Sequence, residues 1–406
     1  MSCVGPLAEN MEKATSEHLK THNRRVVLKA IYEQEQISRA EIARHTHLTR
    51  PAVSRIVAEL LDLGLVMETG QGDSHGGKRP TLLALDATAY QVIGVDLTGR
   101  RMRAALTDLR GHIQHQLIQQ TDRSSGDAVL AGLYAALDEL VATARSPLLG
   151  IGIGTPGLVA SAEGQVYYAA NLGWRRLPLR SLLQERYHVP AYVANDTDVA
   201  AFGESTFGAG REASSLVMIM VGTGIGAGIV MNGKIWHGAG GLGAGEIGHT
   251  PISPDSQIRC SCGRYGCLEA MVSVPSLIRQ AQIAAEKYPE SSLAREVRSD
   301  DLDIEAVARA AAAGDGVAQA LVARTGYYLG LAVSWLVSIL NPGYIVLGGS
   351  ILRLGESLLA EIRRTVQERT LPALAANTEI VPSSLGADVG IIGAAALVLS
   401  RELGVV

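Results

Sequence analysis

The sequence predicts an α/β protein with a small helix-rich module in front of it. From about residue 91 onward, apolar strand-like runs alternate with helical patterns, which is the mark of layered helices and sheets. Residues 23–62 instead hold three helical patterns in succession, and two short strands follow them. In the second half His249 precedes three cysteines packed between Cys260 and Cys267, so metal-ligand chemistry sits inside the α/β body.

The 406 residues are enough for two or three domains. Lys and Arg number 36 against 40 Asp and Glu, a net charge of -4, so bulk charge does not make the chain a polyanion binder. Residues 20–85 differ, with ten Lys and Arg against seven Asp and Glu, which permits nucleic-acid binding there. The 45 glycines and two phenylalanines predict many tight turns and an aliphatic core. Cys3 is the one cysteine outside the metal cluster, so no disulfide framework forms without stripping that cluster. Glu9, Glu12 and Glu17 occupy the N-terminus where a secretory signal would be apolar. A reducing, cytoplasmic setting is therefore expected. Apolar runs such as Leu329–Leu340 are too short to cross a bilayer, and no membrane partner is expected.

The front module reads as a DNA-binding unit. Val26, Val27, Ala30 and Ile31 form the apolar face of a first helix. Ser38-Arg-Ala-Glu41 is a capping box that opens a second, short one. Thr49 can cap a third, with Pro51 tolerated in its first turn. On that helix Val53, Ile56, Val57, Leu60 and Leu61 make a buried stripe, which turns Pro51, Arg55 and Ala58 outward with Ser54 at the flank. Small residues around one arginine suit entry into a major groove, where Arg grips guanine O6 and N7. Thr49, Arg50, Pro51, Ser54 and Arg55 are the expected DNA contacts on this helix. Leu65–Thr69 and Thr81–Leu85 read as a hairpin whose tip, Gly70 to Pro80, ends in Lys78-Arg79-Pro80. A glycine-rich tip with two cations is a wing able to enter a narrow minor groove. Lys20, Arg24 and Arg25 are further candidates for phosphate contacts. The expected unit is a winged helix-turn-helix over residues 20–86, behind an unstructured arm at 1–19.

In the body, Val92–Leu97 and Met102–Leu106 predict a hairpin, Leu148–Gly154 a buried strand, and Leu177–Tyr187 a helix. Ala191–Ala194 predicts a strand, Leu216–Val221 and Gly226–Met231 a second hairpin, and Tyr344–Leu347 a late strand. Asn195 and Asp196 follow a strand directly, at the carboxyl end where open α/β sheets bind ligands. His249, Cys260, Cys262 and Cys267 offer one imidazole and three thiolates, the set that closes a tetrahedral structural zinc site.

His249, ten residues, then Cys260-Ser-Cys262-Gly-Arg-Tyr-Gly266-Cys267-Leu-Glu269 resembles the zinc motif of the ROK family of sugar kinases and sugar-responsive repressors. The order of motifs over about 310 residues is similar to that family throughout. The resemblance implies a two-lobe, actin-like and ribonuclease-H-like sugar-kinase fold. Its first lobe would span 91–200 plus 391–406, and its second, carrying the zinc, 201–390. It also implies a sugar site in the cleft, with Asn171 of the Asn171-Leu-Gly-Trp174 loop, Asn195, Asp196, Glu246, His249 and Glu269 as contacts. Carboxylates and amides of this kind recognise polyols.

Two uses of such a cleft compete. In the family's kinases the position of Asp196 holds the general base, and Gly222-Thr-Gly-Ile-Gly226 is a turn whose amides could cradle phosphate. Those kinases follow the first strand with Asp-x-Gly-Gly-Thr, whereas this chain has Asp96-Leu-Thr98-Gly99-Arg100. A β-branched residue and a bulky cation replace the parts that wrap phosphate. The expectation is a non-enzyme: a xylose-repressor-like regulator that binds an aldose of xylose or glucose type and an inverted-repeat operator as a homodimer. A glucokinase-like enzyme with an added DNA-binding domain, and a regulator answering to a protein partner, are the alternatives.

Overall fold

The computed structural model describes residues 16–72, 79–98, 101–122, 124–298 and 302–406. The chain forms two compact units, Met1–Ala89 together with Leu399–Val406, and Tyr90–Val398. The expected grouping of 391–406 with the first lobe is corrected here, because the last eight residues belong to the smaller unit.

The smaller unit runs α1 (Ser16–Glu33), β1 (Ile37–Ser38), α2 (Arg39–Thr46), α3 (Arg50–Asp62), β2 (Val66–Gln71) and β3 (Thr81–Leu85). Residues 16–19, expected in an unstructured arm, are the first turn of α1. The Ser38 capping box forms: Glu41 N–H donates to the Ser38 hydroxyl at 3.3 Å, and Ser38 N–H donates to the Glu41 carboxylate at 2.9 Å. His47, at φ 55, ends α2 in the left-handed region, and Thr49 caps α3 two residues on. Ile31, Ile42, Val53, Val57, Leu60 and Leu83 are fully buried and join the helices to the hairpin. Each such side chain contributes about 1.5–3 kcal/mol. Leu61 is only half-buried, so the buried stripe of α3 is narrower than its periodicity predicted. The sheet order is β1-β3-β2 and antiparallel, with Gln71 opposite Thr81 at the base of the wing.

The larger unit begins with β4 (Gln91–Asp96), β5 (Arg101–Thr107) and β6 (Ile113–Gln120), a meander rather than the two-stranded hairpin expected. Next come α4 (Gly126–Thr143), β7 (Leu148–Thr155), the small strands β8 (Leu158–Ala160), β9 (Gln165–Ala169) and β10 (Trp174–Leu177), then α5 (Leu179–Tyr187) and β11 (Ala191–Asn195). Leu177, expected to open α5, closes β10 instead. The five-stranded sheet has the order β11-β7-β4-β5-β6. Its parallel register sets Asp96 opposite Gly154 and Thr155 opposite Asn195, so three neighbouring strands end side by side.

α6 (Asp196–Phe207) leads to β12 (Ser215–Val221), β13 (Ile225–Met231) and β14 (Lys234–Ile235). The helices α7 (Leu268–Val272), α8 (Val274–Lys287), α9 (Ser292–Arg298), α10 (Ile304–Ala312) and α11 (Gly316–Leu340) follow. β15 (Tyr344–Gly348), α12 (Glu356–Arg369), α13 (Pro372–Ala376), β16 (Glu379–Pro382) and α14 (Val389–Glu402) complete the chain. This second sheet, β14-β13-β12-β15-β16, repeats the first: three antiparallel strands, then two parallel ones beside the opening strand. The repeated order makes the unit a two-lobe, actin-like fold.

α6 and α14 cross between the lobes, where a side chain on Gly393 would put its Cβ 1.9 Å from Val199 O. The lobe boundary expected at 200 thus falls inside α6. α11 is long and apolar enough to cross a membrane, contrary to the short-run expectation. It is instead a core helix, with Leu321, Leu329, Val333 and Val337 buried against α12 and the second sheet.

Candidate functional site

The outward face of α3 is placed as its periodicity predicted. Thr49, Arg50, Pro51, Ser54 and Arg55 are exposed, and Thr49 also accepts from Ala52 N–H at 3.4 Å to cap the helix. Arg79 is exposed at the base of the wing, while Lys78 lies outside the described residues. Two of the expected phosphate contacts are exposed but each already has a protein partner. Lys20 pairs with Glu59 at 3.1 Å, and Arg25 donates to Arg401 O at 2.9 Å. Arg24 is exposed with no ion pair among the described residues.

The four metal-ligand candidates come together through local backbone bonds. Cys260 N–H donates to Arg264 O at 2.7 Å, which curls the C-x-C segment into a tight turn. Leu268 N–H donates to Thr250 O at 2.9 Å, which lays the His249 segment beside Cys267. His249 Nδ1 is 3.6 Å from Cys260 Sγ, and Cys262 Sγ is 3.7 Å from Cys267 Sγ. The donor atoms of His249, Cys260 and Cys262 all lie within 4.8 Å of one another. With metal–sulfur bonds of about 2.3 Å and a metal–nitrogen bond of about 2.0 Å, a tetrahedron sets sulfur about 3.8 Å from sulfur and about 3.5 Å from nitrogen. The two measured edges match those lengths, so His249, Cys260 and Cys262 can share a tetrahedral divalent metal, while Cys267 stands beside Cys262 but outside the group whose donor atoms all lie within 4.8 Å of one another. Nδ1 faces the thiolates, which leaves Nε2 turned outward, 4.0 Å from Glu246 Oε2.

Glu269 is held more tightly than a free sugar contact would be. Its Oε1 accepts from Ser261 Oγ at 2.8 Å, and its Oε2 accepts from Ile225 N–H at 3.2 Å. It joins the metal loop to the turn between β12 and β13.

Asn195 and Asp196 stand at the N-terminus of α6. Asn195 Oδ1 accepts from Thr197 N–H at 2.9 Å and Asp198 N–H at 3.4 Å as the helix cap, and its Nδ2 donates to Gly157 O at 3.0 Å. These bonds fix the loop that follows β7. Asn171 is exposed on the turn between β9 and β10, with no hydrogen bond of its side chain among the described residues. Asp196 Oδ1 accepts from Thr197 N–H at 2.9 Å. Burial, and then the neighbouring Asp96 carboxylate, push Asp196 up to about 7.

The glycines of β13 let the two halves of the cleft meet. A Cβ on Gly228 would lie 2.1 Å from Thr197 O, and one on Gly245 would lie 1.9 Å from Ala227 O. α6 thus rests on one side of β13 and the Gly245–His249 segment rests on the other.

Two features of the cleft escaped the sequence reading. Thr98, which breaks the phosphate-loop pattern, has a hydroxyl that bonds Asp96 and lies 3.3 Å from Asp196 Oδ2. Gly99 and Arg100 of the same loop lie outside the described residues. Asp198, buried on α6, pairs with His237 Nδ1 at 3.0 Å, and burial raises its carboxyl above the ordinary range. Nothing in the local pattern around His237 pointed to this partner 39 residues away.

Residues 92–401 match the model of the ROK family, and residues 23–76 match that of the MarR family. The chain belongs to the ROK family. It is 32% identical over 389 residues to the xylose repressor of Caldicellulosiruptor bescii, covering 95% of this chain and 97% of that one. A glucokinase of Halalkalibacterium halodurans is 38% identical over 315 residues, which is 76% of this chain and 95% of the enzyme. A crystal structure of a ROK family transcriptional regulator, a homologue of the Escherichia coli MLC protein, superposes with a TM-score of 0.86 at 29% identity. That match covers 96% of this ROK chain and 98% of the other. The glucokinase match is therefore a match of the ROK domain alone, whereas the two regulators match the winged helix as well.

Proposed function

We propose that this chain is a sugar-responsive, DNA-binding transcriptional repressor of carbohydrate-utilisation genes, not an enzyme. The observation that carries this is the pairing, in one chain, of an exposed recognition helix with a ROK domain, over the full length of relatives that are regulators by name. α3 enters the major groove, with Arg50 and Arg55 reading bases or phosphates, and Lys78 and Arg79 of the wing reach the minor groove. Two chains of a homodimer bind the halves of an inverted-repeat operator. The chain works in the cytoplasm, where DNA and sugar meet.

The effector is an aldose of xylose or glucose type. It is held by Asn171, Asn195, Asp196, Glu246 and the outward Nε2 of His249, with Glu269 fixing the metal loop behind them. Zinc on His249 Nδ1, Cys260, Cys262 and Cys267 is structural: when bound it holds the imidazole in one orientation, and the side chains named here do the recognition. Sugar in the cleft shifts the balance between two states that differ in DNA affinity, through the segment Asp86–Gln91.

The glucokinase likeness favours a second reading, an ROK sugar kinase with Asp196 as general base. Thr98 in place of a phosphate-loop glycine weighs against it. Fluorescence anisotropy of a labelled fragment from upstream of the gene, with and without xylose or glucose, separates the two. Tight, salt-sensitive binding altered by one aldose is expected. No specific DNA binding, together with sugar-dependent ATP consumption, would return the chain to the kinases.

A further inference from the structure

Among the residues lining the cleft, Thr98 stands out because it touches a site carboxylate without belonging to the expected sugar set. It sits just past β4, where Leu97 N–H still donates to Gly154 O at 2.9 Å and so keeps the chain on the sheet. Asp96 Oδ1 accepts from Thr98 N–H at 2.8 Å and also from the Thr98 hydroxyl. The side chain of Thr98 is therefore fixed in rotamer as well as in backbone. Its Oγ lies 3.3 Å from Asp196 Oδ2, while Asp196 Oδ1 is taken by Thr197 N–H. Asp96 is itself backed against α14, where a Cβ on Gly390 would be 2.6 Å from the Asp96 carboxyl carbon. One hydroxyl thus joins a carboxylate on a strand to a carboxylate at the start of a helix.

We propose that Thr98 is a positioning residue for the effector: through its bridge to Asp96 it holds Asp196 in the orientation that reads one sugar hydroxyl. This rests on the reading of the cleft as a sugar site. The glycine of the Asp-x-Gly-Gly-Thr pattern has no hydroxyl with which to make this bridge, so the same substitution that spoils a phosphate loop supplies a sugar-sensing contact. A hydroxyl carries one proton. Donating it to Asp96, Thr98 offers Asp196 a lone pair, and the three groups are best satisfied when Asp196 holds a proton. Burial and the Asp96 carboxylate, rather than Thr98, push Asp196 up to about 7, which favours a proton on it. A protonated or shared carboxyl donates to a sugar hydroxyl rather than removing its proton, which suits recognition without turnover.

Isothermal titration calorimetry of the full-length, metal-loaded protein tests this, first with xylose and glucose on the unaltered chain. The monodeoxy analogues of whichever sugar binds come next, on the Thr98→Val and Thr98→Ser variants. Thr98→Val keeps the shape and removes the hydroxyl, and is expected to weaken sugar binding roughly ten- to a hundredfold, the range for a hydrogen bond involving a charged group. Thr98→Ser, which keeps the hydroxyl, is expected to bind close to the unaltered chain. Against the one deoxy analogue that lacks the hydroxyl read by Asp196, Thr98→Val should cost nothing further. Operator affinity without sugar should not change in either variant. Equal affinity of Thr98→Val and the unaltered chain overturns the proposal, and so does an equal loss across every deoxy analogue, which is the mark of general damage. If the unaltered chain binds neither aldose, the sugar reading itself fails, and this inference with it.

Discussion

The recognition helix and the cleft are built in opposite ways. α3 gathers its exposed candidate DNA contacts, Thr49 to Arg55, within two helical turns, and its position depends on a cap and four buried side chains of the same segment. The candidate cleft residues Asp96, Asn171, Asp196, Glu246 and His249 come from segments that are far apart in sequence, and their positions depend on how the strand ends, α6 and the segment after β14 pack. A helix face of the first kind tolerates change in what it presents, since nothing packs on it. A cleft of the second kind depends on backbone atoms in van der Waals contact, and a single methyl group at the wrong place displaces it. Chemistry on α3 is separable from the fold; chemistry in the cleft is not.

The largest effect expected from that difference is at Gly228. Gly228→Val would force a side chain into Thr197 O, 2.1 Å from the Cβ position, and into Ala201 at 2.7 Å. Overpacking against rigid backbone should cost at least about 3 kcal/mol. A chemical-denaturation midpoint close to that of the unaltered chain would show that β13 and α6 are not clamped. Next in size is Cys262→Ser, which removes one of four thiolate or imidazole donors. The expected result is loss of about one zinc per chain by elemental analysis, together with the sugar response, while operator binding without sugar is retained. Retained zinc would mean that Cys262 is not a ligand.

Arg55→Ala should lower specific operator affinity by about 1–3 kcal/mol and leave both melting temperature and sugar affinity unchanged, because the side chain is exposed. If it also reduced sugar affinity in titration calorimetry, the separability of α3 would be lost. The smallest effect concerns Asp196. Its carboxyl is raised from an ordinary 3.8 to about 7 in the folded chain, so the native state is penalised for ionising it. That contribution to stability is full below the unfolded value and is lost as pH rises through about 7. Asp196→Asn cannot ionise, so it should melt slightly above the unaltered chain at pH 8.5, with the gap narrowing steadily toward pH 5. A gap that widens as pH falls would reverse the assigned direction.

How much of this could be read in advance follows the same division. The capping box at Ser38, the cap at Thr49 and the buried face of α3 were legible because each is an interaction within four residues. The cluster of His249, Cys260 and Cys262 was legible for a related reason: the two cysteines lie in one turn, and the histidine is only 11 residues from the first of them. The expected sugar contacts came from family likeness, and the structure adds that Glu269 has both oxygens engaged by protein groups and that Asn171 is exposed. The meander strands β6 and β14 were missed because they are edge strands, one half-polar and one two residues long, with little apolar periodicity to read.

By itself the sequence determined the two-part plan, the outward face of α3, the local cluster of candidate metal donors and the layered α/β class, since helix caps, apolar periods and close-spaced side chains act over a few residues. Only the tertiary structure decided that the two sheets share one strand order, that α6 lies between them, and that the last eight residues leave the larger unit. Only it decided that Thr98 joins Asp96 to Asp196, and that Asp198 finds His237. Those pairings have no local signature, because the side chains in each come from separate elements, and packing brings them together.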